Sequence, residues 1–357
     1  MSQHLVTLPI LIPMIGALAL LLFNQASDTR RRQLSTALCV AQVLVAAWLL
    51  AVAGGGQMLF YALGNWHAPF GIVLMLDRLS ALMLILTAVL ALGSVLFACA
   101  GEDARGTNFH GLFQLQLMGL NGAFLTGDMF NLFVFFEITL LASYALMMHG
   151  GGKERIGAGL HYVILNLAGS ALFIVALGVL YGATGTLNMA DMARRVAQMS
   201  GDQTALVTAG ALLLIVVFSL KAALLPLYFW LPRTYAAAPA PVAALFAIMT
   251  KLGLYAILRV QSLIFADTPV AEAIIAWLWW AGLATIALAA VGVLAARDLR
   301  TLVAYLVLVS VGTLMAGTAL GSIEAIGALL YHLPHTTLIC GALYLIFQIL
   351  SLPGAFL

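Results

Sequence analysis

Glu137, Lys221, Lys251 and His335 are the residues of this sequence whose chemistry is hardest to reconcile with their surroundings. Glu137 lies in "FVFFEI", with Phe133, Val134, Leu140 and Leu141 at the neighbouring helical positions, so nothing on its own helix can pair with it. Lys221 is flanked in the same way by Val217, Phe218, Leu224 and Leu225, and Lys251 by Ala247, Ile248, Leu254 and Tyr255. His335 follows Pro334 directly, with His332 three residues earlier. A charge at the centre of a membrane helix costs about 2.5 to 3.5 kcal/mol, so each such group demands a partner, a water cavity or a function. A snorkelling side chain or a structural ion pair would account for any one of them. Four, two of them beside helix breakers, are the parts of a proton relay. A lysine gives up its proton more readily when buried and holds it beside a carboxylate, while histidine titrates near neutrality unaided.

The elements that position these groups follow from composition. The chain is 64% hydrophobic and 8% charged, with a mean hydropathy of +1.11, against about 25% charged residues in a soluble domain. That composition predicts an all-α polytopic membrane protein. About 20 apolar residues cross the hydrocarbon core as a helix, and eleven segments qualify: 5–23, 33–53, 73–99, 109–127, 129–148, 156–182, 205–235, 240–265, 271–295, 301–320 and 324–350. The first has no basic stretch before it and no small-residue cleavage site after it, so it reads as a retained anchor. Two runs carry breakers. In "SLKAALLPLYFWLP", Pro226 cannot donate to the carbonyl of Ala222, and in "YHLPHTT", Pro334 sits near the middle of its span, so both helices are expected to break. Broken membrane helices are tolerated where they line a polar path, although a packing kink is the other use of such a proline.

Arg30, Arg31, Arg32, Arg105, Lys153, Arg155, Arg233, Arg297 and Arg300 fall on one side if the segments alternate; Arg78, Arg194, Arg195 and Arg259 fall on the other. The positive-inside rule therefore predicts an external N-terminus and a cytoplasmic C-terminus. A net charge of +2 gives no argument for nucleic acid. Cys39, Cys99 and Cys340 stand singly in apolar runs and read as small buried hydrophobes, with no disulfide framework or zinc spacing. There is no phosphate-binding, dinucleotide or haem motif, so no cofactor is expected. Asp128 and Asn131 fit a helix cap, Asp77 and Arg78 a pair or an interfacial position, and His161 and Asn166 hydrogen bonds inside the bundle. "ERIGAGL" at 154–160 and "EAIGALL" at 324–330 match at an offset of 170 residues, which would put a counterpart of Lys221 near position 391, beyond Leu357.

The stretches "GDMFNLFVFFEITLLASYALMMHG", "GLHYVILNLAGSALF", "YGATGTLNMADMA" and "SLKAALLPLYFWLPRTYAAAPAPVAALFAIMTKLGLYAILR" together resemble the D-type subunit of the Mrp-type (also called Pha- or Mnh-type) monovalent cation/proton antiporters over essentially the whole chain. The wider family includes the proton-pumping subunits of respiratory complex I and of membrane-bound hydrogenases. The resemblance implies two inverted five-helix repeats with broken helices. Residues 1–100 would be three N-terminal helices, 101–265 the first five-helix unit, and 266–357 an incomplete second one. It implies that Glu137, Lys221, Lys251 and His335 carry protons, with His332 beside them, and that three further helices and a second broken-helix lysine follow Leu357. Ile339 stands where the largest complex I subunit of this type has a lysine, and Arg233 in "WLPRTY" stands where complex I subunits have an acid.

The function so implied is that of a secondary-transporter subunit, not an enzyme. It would work in a bacterial inner membrane within a hetero-oligomeric complex, exchanging sodium or another monovalent cation for protons. The alternatives are a proton-translocating subunit of a redox complex and a scaffold whose buried charges are structural.

Overall fold

The computed structural model describes residues 2–22, 27–266 and 268–351. Among the described residues the regular structure is helical apart from one hairpin, as hydrocarbon requires of a backbone that must satisfy its own polar groups. Contacts divide it into two units, Met1–Ile156 and Gly157–Leu357.

The first unit contains α1 (Leu8–Leu22), α2 (Asp28–Gly54), a hairpin of β1 (Leu59–Ala62) and β2 (Val73–Leu76), then α3 (Arg78–Ala98), α4 (Phe109–Leu125) and α5 (Met129–Met147). The strands pair antiparallel with Leu59 opposite Leu76. Short polar side chains start the helices after them. Asp77 caps α3: its carboxylate accepts from Ser80 N at 2.8 Å while Ser80 Oγ accepts from Asp77 N at 2.8 Å. Asp128 caps α5 by accepting from Asn131 N at 2.8 Å, as its position suggested.

The second unit takes in α6 (Lys153–Thr184) from Gly157 onward, followed by α7 (Met189–Val196), α8 (Asp202–Ala222), α9 (Trp230–Ala237), α10 (Ala240–Phe246), α11 (Met249–Val260), α12 (Val270–Ala295), α13 (Leu299–Leu320) and α14 (Ile323–Leu350). A π-helical turn, Gln261–Phe265, extends α11.

Among the described residues ten helical segments are long and apolar enough to cross a membrane, with His4–Leu22 and Ala240–Phe265 each counted as one. The eleventh expected segment, 109–127, forms α4, whose 17 residues reach about 25 Å against a hydrocarbon core of about 30 Å. The chain is a multi-pass membrane protein.

The break expected at Pro226 is present. Helix α8 stops at Ala222, and Ala223 takes φ 60°, ψ 46°, a left-handed conformation that glycine usually supplies at a helix end. The groups freed there find partners. Leu220 O accepts from Ala223 N and from Trp230 Nε1 at 3.1 Å, and Leu225 N donates to Thr285 Oγ1 on α12 at 2.9 Å. Pro232 falls in the first turn of α9, where a missing N–H costs little.

The break expected at Pro334 is absent: α14 runs unbroken from Ile323 to Leu350 with that proline inside it. A proline removes one backbone bond and presses on the carbonyl four residues back, here Leu330, but the turns on either side can hold the helix together. On the C-terminal side Thr337 Oγ1 also donates to Leu333 O at 2.7 Å.

Candidate functional site

Lys221 and Lys251 are held by two packed helices of the second unit. Lys221 lies in the last turn of α8 and Lys251 in the first turn of α11. Two residues past Lys251, Gly253 meets α8 backbone to backbone. A Cβ there would stand 2.6 Å from Ala222 N and 2.9 Å from Ala222 Cα, closer than any side chain allows. Glycine is therefore required at this crossing, and it ties the end of α8 to the start of α11.

Lys221 is 4% exposed, and its Nζ donates to Asn166 O and to Ser170 Oγ on α6, both at 3.2 Å. Asn166 is buried, as the sequence suggested, whereas His161 is exposed on the outer face of α6. Lys251 is 0% exposed, and its Nζ has no hydrogen-bond partner among the described residues. Thr250 Oγ1 beside it is likewise buried and unpartnered. The span around Lys251 is interrupted. Between α10 and α11, Ala247 N and Ile248 N bond three residues back, to Ala244 O and Leu245 O, and no proline or glycine in "AALFAIMTK" announces this. A buried ammonium without acceptors is among the costliest groups a fold can contain, so Lys251 is either neutral or met by water.

Around Lys251, α14 supplies Cys340 and His332, both within electrostatic reach of it. His335 is exposed on α14, as are Tyr331 and Ile339, and half-buried His332 is within electrostatic reach of Lys251. The two imidazole centroids are 6.2 Å apart.

Glu137 belongs to the first unit. It is half-buried on α5, off the face through which Thr139 and Phe135 pack on Gly119 and Gly122 of α4. Tyr144, two turns along α5, is within its electrostatic reach.

Sequence reasoning missed a second polar cluster, in the first unit. Arg32 grips Asp103 with both arms of its guanidinium, at 2.6 and 2.8 Å, and His110 Nε2 lies 3.1 Å from the same carboxylate. Cys99 completes a Cys–Asp–His group whose ligand atoms lie within 4.8 Å of one another. A metal there would have to share Asp103 with the Arg32 fork. Burial alone would raise the Asp103 carboxyl, but Arg32 and His110 override it and hold it below its ordinary value. Its contribution to stability is therefore complete above the ordinary carboxylate range and lost as the pH falls through the lowered folded value. We expect Arg32→Gln to destabilise the protein by about 1–3 kcal/mol near neutrality, the cost of leaving a buried polar group unsatisfied. The deficit should vanish in acid. Thermal unfolding in detergent across pH checks this, and a deficit independent of pH would refute the assignment.

Residues 126–352, which include both lysines and both rings of α14, match the family described as NADH:quinone oxidoreductase/Mrp antiporter, transmembrane. The chain belongs to that family. It is 47% identical over 98% of its length to the probable K(+)/H(+) antiporter D subunit of Rhizobium meliloti (strain 1021), covering 66% of that protein. It is 40% identical over 96% of its length to the Na(+)/H(+) antiporter D subunit of Bacillus subtilis (strain 168), covering 69% of it. A chain in the structure of the Mrp complex from Dietzia sp. DQ12-45-1b superposes with a TM-score of 0.90 at 28% identity, covering 97% of this chain and 65% of that one. The chain thus spans about two thirds of the length of these family members.

Proposed function

We propose that this family member is the D-type subunit of a multisubunit monovalent cation/proton antiporter, with protons carried through Glu137, Lys221, Lys251 and the His332–His335 pair. The observation that supports it most is Lys251, an ammonium-bearing side chain with no access to solvent and no acceptor among the described residues, next to an interruption of its own helix. A scaffold gains nothing from so costly a group, whereas a carrier needs a lysine that can be either charged or neutral. The finer architecture in this reading is a pair of inverted five-helix repeats, the first over residues 101–265 and the second beginning at 266. The N-terminus is external and the C-terminus cytoplasmic, from the loop distribution of Lys and Arg. The complex would sit in a bacterial inner membrane with further subunits.

Relatives named for potassium and for sodium leave both as candidate cations for this chain. The second reading, a proton-translocating subunit of a redox complex, draws on the same family description and would use the same residues.

The test is complementation of a salt-sensitive strain lacking its own D-type subunit, with the other antiporter subunits present, by the full-length gene that carries this sequence, together with sodium- and potassium-dependent proton flux in everted vesicles. Growth and cation-dependent flux support the antiporter. Proton flux that requires an electron donor and ignores the cation supports the redox complex. Within the relay, His332→Ala should slow exchange several-fold more than His335→Ala, because His332 is half-buried and within electrostatic reach of Lys251 whereas His335 is exposed. The reverse order, at equal amounts in the membrane, would put the carrier on the outer face of α14.

A further inference from the structure

The first unit contains a second lane of buried polar groups, remote in sequence from the lysines. On α4, His110, Gln114 and Asn121 share one face, at spacings of four and seven residues. Ser35, Cys39 and Gln42 share the facing stripe of α2. All six are buried. The amide nitrogens are occupied: Gln114 Nε2 donates to Ser35 Oγ at 3.4 Å, and Asn121 Nδ2 to Pro9 O at 2.8 Å and Gln42 Oε1 at 3.2 Å. Gln42 Nε2 also donates to Pro9 O, at 3.2 Å.

The other halves of these groups are not occupied. Gln114 Oε1, Asn121 Oδ1 and His110 Nδ1 are each buried without a hydrogen-bond partner among the described residues. Interhelical hydrogen bonding explains the nitrogens and leaves the acceptors unexplained. An orphaned buried acceptor costs about 1–3 kcal/mol, and three on one helix face would be a heavy burden for a fold that obtained nothing from them. Buried water is the ordinary remedy, since a water making two or three bonds satisfies such atoms.

The lane also has a mouth. A cavity of about 210 Å³ lies at the start of α4, lined by Asp28, Arg31, Asp103, Asn108 and His110. From His110 to Asn121 the helix rises about 16 Å, roughly half the hydrocarbon core. Cys39 lies at the level of Gln114, its Sγ 3.6 Å from Gln114 Nε2, and between Gln114 and Asn121 the next turn of α4 carries the apolar Leu117; both are fully buried.

We propose that the α1–α2–α4 corner holds a file of bound waters that admits protons from the cavity beside Asp103 as far as Asn121, with Leu117 as the apolar constriction between Gln114 and Asn121. The ligand is water and the mobile species a proton passed along it. Gln114 and Asn121 supply fixed acceptors that orient the file, and a constriction of this kind controls passage by wetting and drying. None of the residues expected from sequence to carry protons takes part, so this is a route additional to the lysines.

The experiment is radiolytic footprinting of the assembled complex in ¹⁸O-water. Hydroxyl radicals are generated by a brief X-ray pulse, and peptide mass spectrometry reads the label. Bound water delivers radicals to buried side chains beside it, so Leu117 can be compared with Leu146 on α5, a residue of the same type and burial. The expected result is at least tenfold faster labelling of Leu117 than of Leu146, reduced to the Leu146 rate in Gln114→Leu. Equal rates in the unsubstituted complex would overturn the water file and leave the amides as interhelical ties. Asn121→Leu should also slow proton uptake several-fold at equal expression. A labelled lane with unchanged uptake would overturn the access role. The footprint reads hydration whichever ion the complex moves, so its outcome is separable from that of the antiport test.

Discussion

Lys251→Arg should abolish cation-dependent proton exchange, by about a hundredfold or more, although it keeps the positive charge. The side chain is 0% exposed and its Nζ meets no acceptor among the described residues, so a lysine there can function by losing its proton. A guanidinium does not deprotonate in any physiological range, and its planar fork needs several acceptors that this site lacks. The variant would lock the site in its charged form, or push α11 away from α14. Everted-vesicle flux measures exchange, and the amount of assembled complex on native gels separates lost function from lost folding. Lys251→Ala should also be inactive, though easier to accommodate. An assembled Lys251→Arg complex with normal exchange and unchanged pH dependence would show that the proton never leaves this residue.

Glu137→Gln and Lys221→Ala are expected to have effects as large, for a complementary reason. In the proposed relay the two groups stand in one series, so removing either stops the same flow, and the double variant should be no worse than either single one. Lys221→Ala also strips Asn166 O and Ser170 Oγ of a donor. Some destabilisation, about 1–3 kcal/mol, is therefore expected alongside the loss of transport. Glu137→Gln conserves shape and hydrogen-bonding capacity, so its loss of exchange would be electrostatic. Normal flux in Glu137→Gln at normal expression would remove the carboxylate from the mechanism. Multiplicative losses in the double variant would mean that the two residues act independently.

The buried charges were legible in the sequence because an isolated acid or lysine in an apolar run is conspicuous in any register. The end of α8 was legible for a similar reason: Pro226 withholds an N–H, and the chain must turn somewhere near it. The same logic misjudged Pro334, where continuous turns on both sides hold α14 together through the defect. It passed over the interruption before Lys251, where the residues are good helix formers and only tertiary packing explains the three-residue bonding. Which histidine faces inward depends on how α14 is rotated, and two rings three residues apart differ by less than a turn. The Arg32–Asp103–His110 group was invisible because its members come from a helix start, a loop and the next helix start, with Arg32 and its acid 71 positions apart. The hairpin β1–β2 escaped notice because each strand has only four residues.

The glycine at 253 fixes more than a crossing point. Because α11 and the end of α8 touch through their backbones there, the two lysines share one joint, and a close-packed crossing of this kind favours the two helix ends moving together. Rearrangement at this pair must then be carried by side-chain torsions and water, which relax in picoseconds to nanoseconds, instead of by helix displacement, which takes microseconds to milliseconds. The slow step of any cycle run through these lysines would accordingly lie elsewhere in the assembly, and changing the bulk of the side chains around Lys221 and Lys251 would alter how often a proton moves without altering how often the complex turns over.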